Sequence, residues 1–550
     1  MTLRIAMAQL DMLVGDITKN TQSVIDAANK AHDEEKADVV VFPELTLTGY
    51  PPEDLLLRPS LDPRIESALA RILEEVRDIY VVVGYPRRID GELFNCASVI
   101  YQGKILGEYA KQKLPNFLVF DDKRYFSEGR DAVIVNIKGV KVGLSICEDI
   151  WHPEPIAQAK EAGAELILNL NASPYHIEKM GEREALLHQR ATEVSLPIVY
   201  VNYMGAQDEL VYEGGSFVVN SKGEKVMQAP WFETGLYCVD MIINDVQFNA
   251  NQPNKVEPVS GQIAPALSEE ASVYQAMVFG LRGYIEKNRF KGIVLGLSGG
   301  IDSALSLAVA VDAIGADRVQ AVMMPYTYTS SISLHDAEEE ANLLGVKYSV
   351  LPIESMVTAF TDVLAPEFEG YAKDTTEENL QARTRGVTLM AISNKKGYMV
   401  LTTGNKSEMA VGYATLYGDM VGGYSVLKDV FKMLVFRLCR YRNTLGYVIP
   451  ERVITRPPSA ELAPDQKDED SLPSYDILDE ILRMYIEEDQ SAEAILATKK
   501  FDRETVYRVL RLVDLNEYKR RQAPTGVRIT ARGFGRDRRY PITNGWHIGE

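Results

Sequence analysis

The residues Ser298-Gly299-Gly300-Ile301-Asp302-Ser303 separate the apolar run "VLGL" from a second one, "ALSLAVAV". A strand that ends in a glycine-rich turn and then opens a helix points free backbone N–H groups at one spot, which suits an anion. The two glycines let phosphate oxygens come close, and the two hydroxyls add donors. Asp302 would repel phosphate unless a cation such as Mg²⁺ stood between them. The loop is neither G-x-x-x-x-G-K-[ST] nor G-x-G-x-x-G. An ordinary tight turn is the plain alternative, and the flanking strand and helix count against it. A second group lies upstream. Glu44 ends the run "VVVFPE", and Cys147 ends "VGLSI" just before Glu148 and Asp149. A lone cysteine is most often a buried structural thiol. At a strand end, followed by two carboxylates, it is placed for chemistry instead.

Residues 1–245 alternate short apolar runs ("ADVVVFPEL", "DIYVVVGYP", "VKVGLSICED", "AELILNLNASP", "LPIVYVNYMGA") with amphipathic stretches, which predicts a layered α/β domain. Residues 246–268 have no clear period and read as a linker. From 269 to 550, a helical stretch leads into the strand before Ser298. Two more strand candidates, "RVQAVMMPY" and "YMVLTTGN", have helical patterns between them, so a doubly wound parallel sheet is expected.

With 550 residues, 46% hydrophobic and 25% charged, the chain has the composition of a globular protein of two or three domains. No run of about 18 uncharged apolar residues predicts a membrane span, and the opening "MTLRIAMAQLDMLVGD" reads as a strand. The four scattered cysteines (Cys96, Cys147, Cys238, Cys439) form no C-x-x-C pair and suit a reducing, cytoplasmic setting. A net charge of −19 disfavours nucleic acid and anionic membrane as partners. The segment 518–541 departs from this, with eight Lys/Arg against one Asp: a solvated tail or a contact for a phosphate-rich small ligand.

"LSGGIDSALS" resembles the pyrophosphate-binding loop of ATP pyrophosphatases. With "MPYTYTSSISLHDAEEEANLLGV", "EENLQARTRG", "LTTGNKSEMAVGYATLYGDMVGG" and the basic tail, residues 265–550 resemble NAD synthetases. The resemblance implies an adenine nucleotide alpha hydrolase-like sheet that binds ATP through Leu297, Ser298, Gly299, Gly300, Ile301, Asp302, Ser303 and Thr403. It implies Mg²⁺ on Asp302 and Glu408, and deamido-NAD at Asn379, Arg383, Glu408 and Lys519. Leu416 stands where single-domain synthetases carry a lysine before Tyr-Gly-Asp, so Lys428 or Lys432 is left to serve the phosphates. Glu44, Lys111 (in "EYAKQKLPNFLVFDDKRYFSEG") and Cys147 occur in the order of the nitrilase, or carbon–nitrogen hydrolase, family, whose domains are α-β-β-α sandwiches. The family's lysine stands three places before the leucine of "LP", which selects Lys111 over Lys113. By that resemblance Cys147 attacks an amide, Glu44 moves its proton and Lys111 stabilises the oxyanion. Phe117, Ser173 and Lys179 would line a glutamine pocket, with His152 and His176 structural.

Together these imply an enzyme that hydrolyses glutamine, passes ammonia internally, and amidates deamido-NAD through an adenylate, releasing AMP and pyrophosphate. A homo-oligomer, dimer or larger, is expected. The alternatives are another glutamine-fed adenylating ligase, or an amidase whose second half only regulates. The stretch 456–473, poor in apolar residues, is expected to be a mobile loop that closes over ATP.

Overall fold

The computed structural model describes residues 1–244, 255–463, 468–470 and 472–546. The chain divides into two compact units, Met1–Ala266 and Leu267–Glu550. Of the expected linker, residues 246–254 lie outside the described residues, as do residues 464–467 and 471 of the expected loop.

The first unit stacks two sheets. In the seven-stranded one, Thr2–Gln9 runs antiparallel to Gly235–Asn244 and parallel to Val39–Val41. The six-stranded one has three parallel strands at its centre, Val140–Ile146, Leu166–Asn171 and Ile198–Asn202. Side chains alternate faces along a strand, so Leu3, Ile5 and Met7 meet Leu144, Leu168 and Val199 between the sheets. Ala6 and Ala8 point the other way, in one cluster with Val24 and Leu69 of the covering helices Ile17–Asp33 and Leu61–Glu75. On the far side, Ile167 and Tyr200 pack with Leu187 of the helix Lys179–Val194. Strands covered on both faces read as continuous apolar runs. One local difference from the sequence reading is the short strand Lys255–Pro258, which pairs with Gly235–Asn244 at the sheet edge where a linker was expected.

In the second unit, five parallel strands run in the order Lys347–Val350, Val319–Met323, Gly292–Gly296, Tyr398–Thr402, Tyr424–Ser425. The chain builds one side outward from Gly292–Gly296 and then returns to build the other. The switch point therefore lies between Gly292–Gly296 and Tyr398–Thr402, and ligands bind at the carboxyl ends of strands at such a point. No helix among the described residues is long and apolar enough to cross a membrane.

Glu340, inside the helix Ser331–Leu344, is fully buried, and neither carboxylate oxygen finds a hydrogen bond among the described residues. Desolvation holds its carboxyl well above the usual range. A carboxyl whose pKa is raised by folding stabilises the fold fully below its unfolded pKa and loses that contribution as pH rises through the folded value. Glu340→Leu is therefore expected to stabilise the protein by about 2 kcal/mol at pH 8 and by clearly less at pH 5. Thermal unfolding at both pH values checks this; an equal change at the two would show that Glu340 does not titrate with folding.

Candidate active sites

Three strand ends build the first site. Lys111 directly follows the strand Lys104–Ala110, Cys147 directly follows Val140–Ile146, and Glu44 stands three residues past Val39–Val41. The Glu44 segment lies so close to Gly84 that a Cβ there would fall 2.6 Å from Leu45 N, which explains a glycine inside an apolar strand. Glu44, Lys111 and Cys147 are all buried. Lys111 Nζ lies 2.8 Å from Glu44 Oε1 and 2.7 Å from Asp122 Oδ2. Glu44 also accepts from Asn95 Nδ2 at 2.8 Å and from the Ala172 N–H at 3.2 Å. Burial alone would lower the Lys111 pKa, but the Asp122 and Glu44 carboxylates raise it well above the ordinary value. Lys111 is thus a fixed cation and not a base. Lys113 instead reaches outward, 3.4 Å from Glu154.

Cys147 has φ +45°, a left-handed conformation costly for a residue with a Cβ, and such strain collects at reactive elbows. Burial, then the Glu44 charge, pushes its thiol pKa well up, while Lys111 and the Ala172 N–H oppose this. With the thiol pushed up in this way, a thiolate would form there only by handing its proton to a base. Asp149, also buried, ties the parts together. It accepts from the N–H groups of Gln112 (3.0 Å) and Lys113 (2.8 Å), from Ile146 N–H (3.0 Å), and from Tyr109 Oη (2.8 Å). One carboxylate therefore fixes the lysine-bearing segment against the cysteine-bearing turn.

Ser173 sits two residues past the strand Leu166–Asn171, which pairs with the strand ahead of Cys147. Its hydroxyl accepts from Arg183, whose guanidinium forms a buried ion pair with Glu213. Lys179 Nζ lies 3.0 Å from Glu182 and 4.1 Å from the centroid of the Trp151 ring, and burial lowers its pKa. Phe117 is 52% exposed, edge-on to Phe120. His152 lies 3.4 Å from Glu148, and His176 lies 3.8 Å from Glu182. Sequence reasoning passed over Asp122, and used Glu148 and Asp149 only as the setting of Cys147 without giving either a role of its own. Burial lifts the Glu148 carboxyl to about 7, while Lys111 and Lys179 pull it back. "CED" and "FDDKRYF" offered these acids, but nothing local marks which carboxylates turn inward.

The second site lies at the switch point. Gly299 has φ +80°, and a Cβ there would come 2.4 Å from Ser333 O, so only glycine fits. Ser303 Oγ accepts from Ser298 N–H at 3.2 Å and donates to Gly300 O at 2.9 Å, which pre-shapes the turn. Ile301 opens the helix Ile301–Ile314, and Leu297 N–H is paired to Val322 O at 3.0 Å. From the neighbouring strand end come half-buried Thr403 and then Asn405, which caps the short helix Lys406–Val411 and donates to Asp302 Oδ1 at 2.9 Å. Lys432 Nζ bridges Asp302 Oδ2 and Glu408 Oε1, the latter at 3.2 Å. Burial and the nearby Asp302 keep the Glu408 carboxyl raised despite Lys432. Lys428 points elsewhere, donating to Pro524 O at 2.7 Å. Asn405 escaped the sequence reading, although "TGNKSE" contains its cap.

Asn379, Arg383 and Lys519 gather around residues 412–416, just past the helix Lys406–Val411 that carries Glu408. Thr415 Oγ1 donates to Asn379 Oδ1 at 2.8 Å, and Arg383 Nε donates to Leu416 O at 3.2 Å. Lys519 Nζ donates to Gly412 O and Ala414 O at 2.7 and 2.8 Å. Much of the basic tail's charge turns inward, as in the ion pairs Arg520–Glu517 and Arg528–Asp537.

The family model for carbon–nitrogen hydrolases matches residues 4–251, and that for NAD synthase matches residues 273–523. The glutamine-dependent NAD(+) synthetase of Acinetobacter baylyi is 52% identical over 99% of both chains. That of Aquifex aeolicus is 43% identical over 98% of this chain and 99% of its own. The solved glutamine-dependent NAD+ synthetase of Acinetobacter baumannii, in complex with ADP, superposes over all of both chains with a TM-score of 0.79 and 49% identity. Two family models matched in one chain, and likeness of this extent, place the protein in the glutamine-dependent NAD(+) synthetase family.

Proposed function

We propose that the protein converts deamido-NAD to NAD with ATP and with ammonia drawn from glutamine. The observation that carries the first half of this reading is the buried Glu44–Lys111–Cys147 group. Cys147 attacks the side-chain amide carbon of glutamine as Glu44 takes the thiol proton. Lys111 supplies fixed positive charge for the oxyanion. As the tetrahedral intermediate collapses, Glu44 returns the proton and ammonia leaves. Water, deprotonated by Glu44, then hydrolyses the thioester to glutamate. Ser173 and Lys179 hold the amino-acid end of glutamine, with Phe117 at the opening.

At the second site the loop 298–303 cradles the triphosphate of ATP, Thr403 and Leu297 flank the nucleotide, and Asn379, Arg383 and Lys519 hold deamido-NAD. The nicotinate carboxylate attacks the α-phosphorus and pyrophosphate departs. Ammonia then displaces AMP from the acyl carbon. Asp302 and Glu408 converge on a single ammonium, so these hard oxygen donors already accept a cation and fit Mg²⁺. The ion would offset phosphate charge there.

The test is product analysis with ATP, glutamine and deamido-NAD. NAD, AMP, pyrophosphate and glutamate in equal amounts are expected. ADP and phosphate, or glutamate alone, would favour another ligase or an amidase with a regulatory second half.

The helix Glu354–Leu364 buries only Val357 among its side chains, leaving Phe360 and Val363 (77% exposed) in the open, with Tyr371 (82% exposed) following. A second copy of the chain is the proposed cover. Val363→Asp is expected to lower the mass measured by light scattering on a sizing column; an unchanged mass would move the interface elsewhere.

A further inference from the structure

Ser173, in the first unit, is held at every polar atom. Its N–H donates to Asn202 Oδ1 at 3.0 Å, and its carbonyl oxygen accepts from Arg183 Nη2 at 2.7 Å and Asn202 Nδ2 at 3.4 Å. Its hydroxyl oxygen accepts twice, from Arg183 Nε at 3.2 Å and from Nη2 at 3.0 Å. A hydroxyl has two acceptor positions and one proton. One guanidinium fills both acceptor positions here, so the proton is all that Ser173 has left to offer. Tyr200 comes toward Ser173 and Arg183 from the strand Ile198–Asn202, but its hydroxyl makes no hydrogen bond among the described residues.

The guanidinium is itself fixed. Arg183 and Glu213 are each 3% exposed, and their ion pair uses Nη1, the nitrogen that does not reach Ser173. Nη2 donates in addition to Pro174 O at 3.2 Å. Burial works against the Arg183 charge, and the Glu213 carboxylate more than restores it, leaving the pKa raised. Only arginine has a planar fork that sets two donors on one hydroxyl while a third nitrogen meets a carboxylate. Hydrogen bonds in a chain polarise one another, so a cation donating to Oγ strengthens the Ser173 proton as a donor. Lys179 lies one turn before Arg183 on the same helix and adds an ammonium on that face. A donor hydroxyl beside an ammonium suits a carboxylate.

We propose that Arg183, held by Glu213, is a positioning residue that makes the Ser173 hydroxyl a donor only, and so sets the preference of the first site for an amide whose far end carries a carboxylate. This rests on the glutaminase reading of that site. An amide of the same length without the carboxylate leaves the Ser173 proton without its acceptor. The penalty then falls on binding and not on the attack by Cys147.

The probes are glutamine and γ-aminobutyramide, which is glutamine without its α-carboxylate, and ammonia release from each is measured on the full-length chain. Arg183→Lys keeps the charge and loses the fork. The preference for glutamine, as the ratio of the two kcat/KM values, should fall about tenfold, as loss of a charge-assisted hydrogen bond implies. The loss on glutamine should fall mainly on KM. Ser173→Ala should lower the preference equally, and Arg183→Lys should add nothing to it in that background. Tyr200→Phe should keep the preference. An unchanged preference in Arg183→Lys would make the arginine merely structural and overturn the proposal. A loss in Tyr200→Phe as large as that in Ser173→Ala would overturn it too, because the hydroxyl proton would then belong to Tyr200. Should Arg183→Lys fail to fold, an unchanged preference in Ser173→Ala overturns it instead. Failure of the glutaminase reading shows separately, as no ammonia from glutamine in the unaltered protein.

Discussion

Cys147→Ala is expected to reduce NAD formation with glutamine to background, while NAD formation with high ammonium salt stays within severalfold of the unaltered protein. The substitution removes the one group in the first site able to form a thioester. Glu44 is held by Lys111, Asn95 and the Ala172 N–H, so it remains a base and cannot take over. Alanine tolerates the left-handed backbone at 147 about as well as cysteine does, since both carry a Cβ and nothing beyond it that branches. The Cys147 thiol is buried, but a single small atom is lost, so folding should survive. Both nitrogen donors are measured on one preparation. Retained use of glutamine would make Cys147 structural, and absence of NAD with ammonium in the unaltered protein would reduce the second unit to a regulatory module.

Asp302→Asn should abolish NAD synthesis from either donor, by about a thousandfold or more, as loss of one element of a preorganised charge site does. Asp302 is the closest counter-charge to Lys432 and also receives Asn405. The substitution leaves the buried ammonium with Glu408 as its remaining ion-pair partner among the described residues, which should cost about 3 kcal/mol of stability. Glutamate release should persist at its basal rate because Asp302 stands in the other unit. A folded variant, checked by thermal unfolding, that makes NAD at near-normal rate would remove Asp302 from the reaction.

The layered architecture was legible because each central strand is covered on both faces and so appears as an unbroken apolar run. The strand Lys255–Pro258 was not, because four residues on a sheet edge, one of them proline, gain their structure from the register of a neighbour and carry no period of their own. Within the sites, residues at strand ends could be picked out, as Glu44, Cys147 and the loop 298–303 were, since the switch from apolar run to polar residue marks them. Asp122 could not, because "FDDKRYF" reads as solvated charge until the fold turns it onto Lys111. The basic tail shows the same limit from the other side. A local count of cations cannot distinguish those awaiting a ligand from those already facing Glu517, Asp537 or the carbonyls of residues 412 and 414.

The Asp149 keystone has a consequence for how this enzyme can drift over generations. Three of its four donors are main-chain N–H groups, at Gln112, Lys113 and Ile146, which every amino acid but proline provides. The brace that sets the lysine against the cysteine is therefore indifferent to the side chains at 112 and 113. As far as the brace is concerned, only proline is barred at 112 and 113, whose side chains instead answer to Gln158 and Glu154, whereas Asp149 has no such freedom. Lineages can rewrite the surface beside Lys111 while its distance from Cys147 stays inherited.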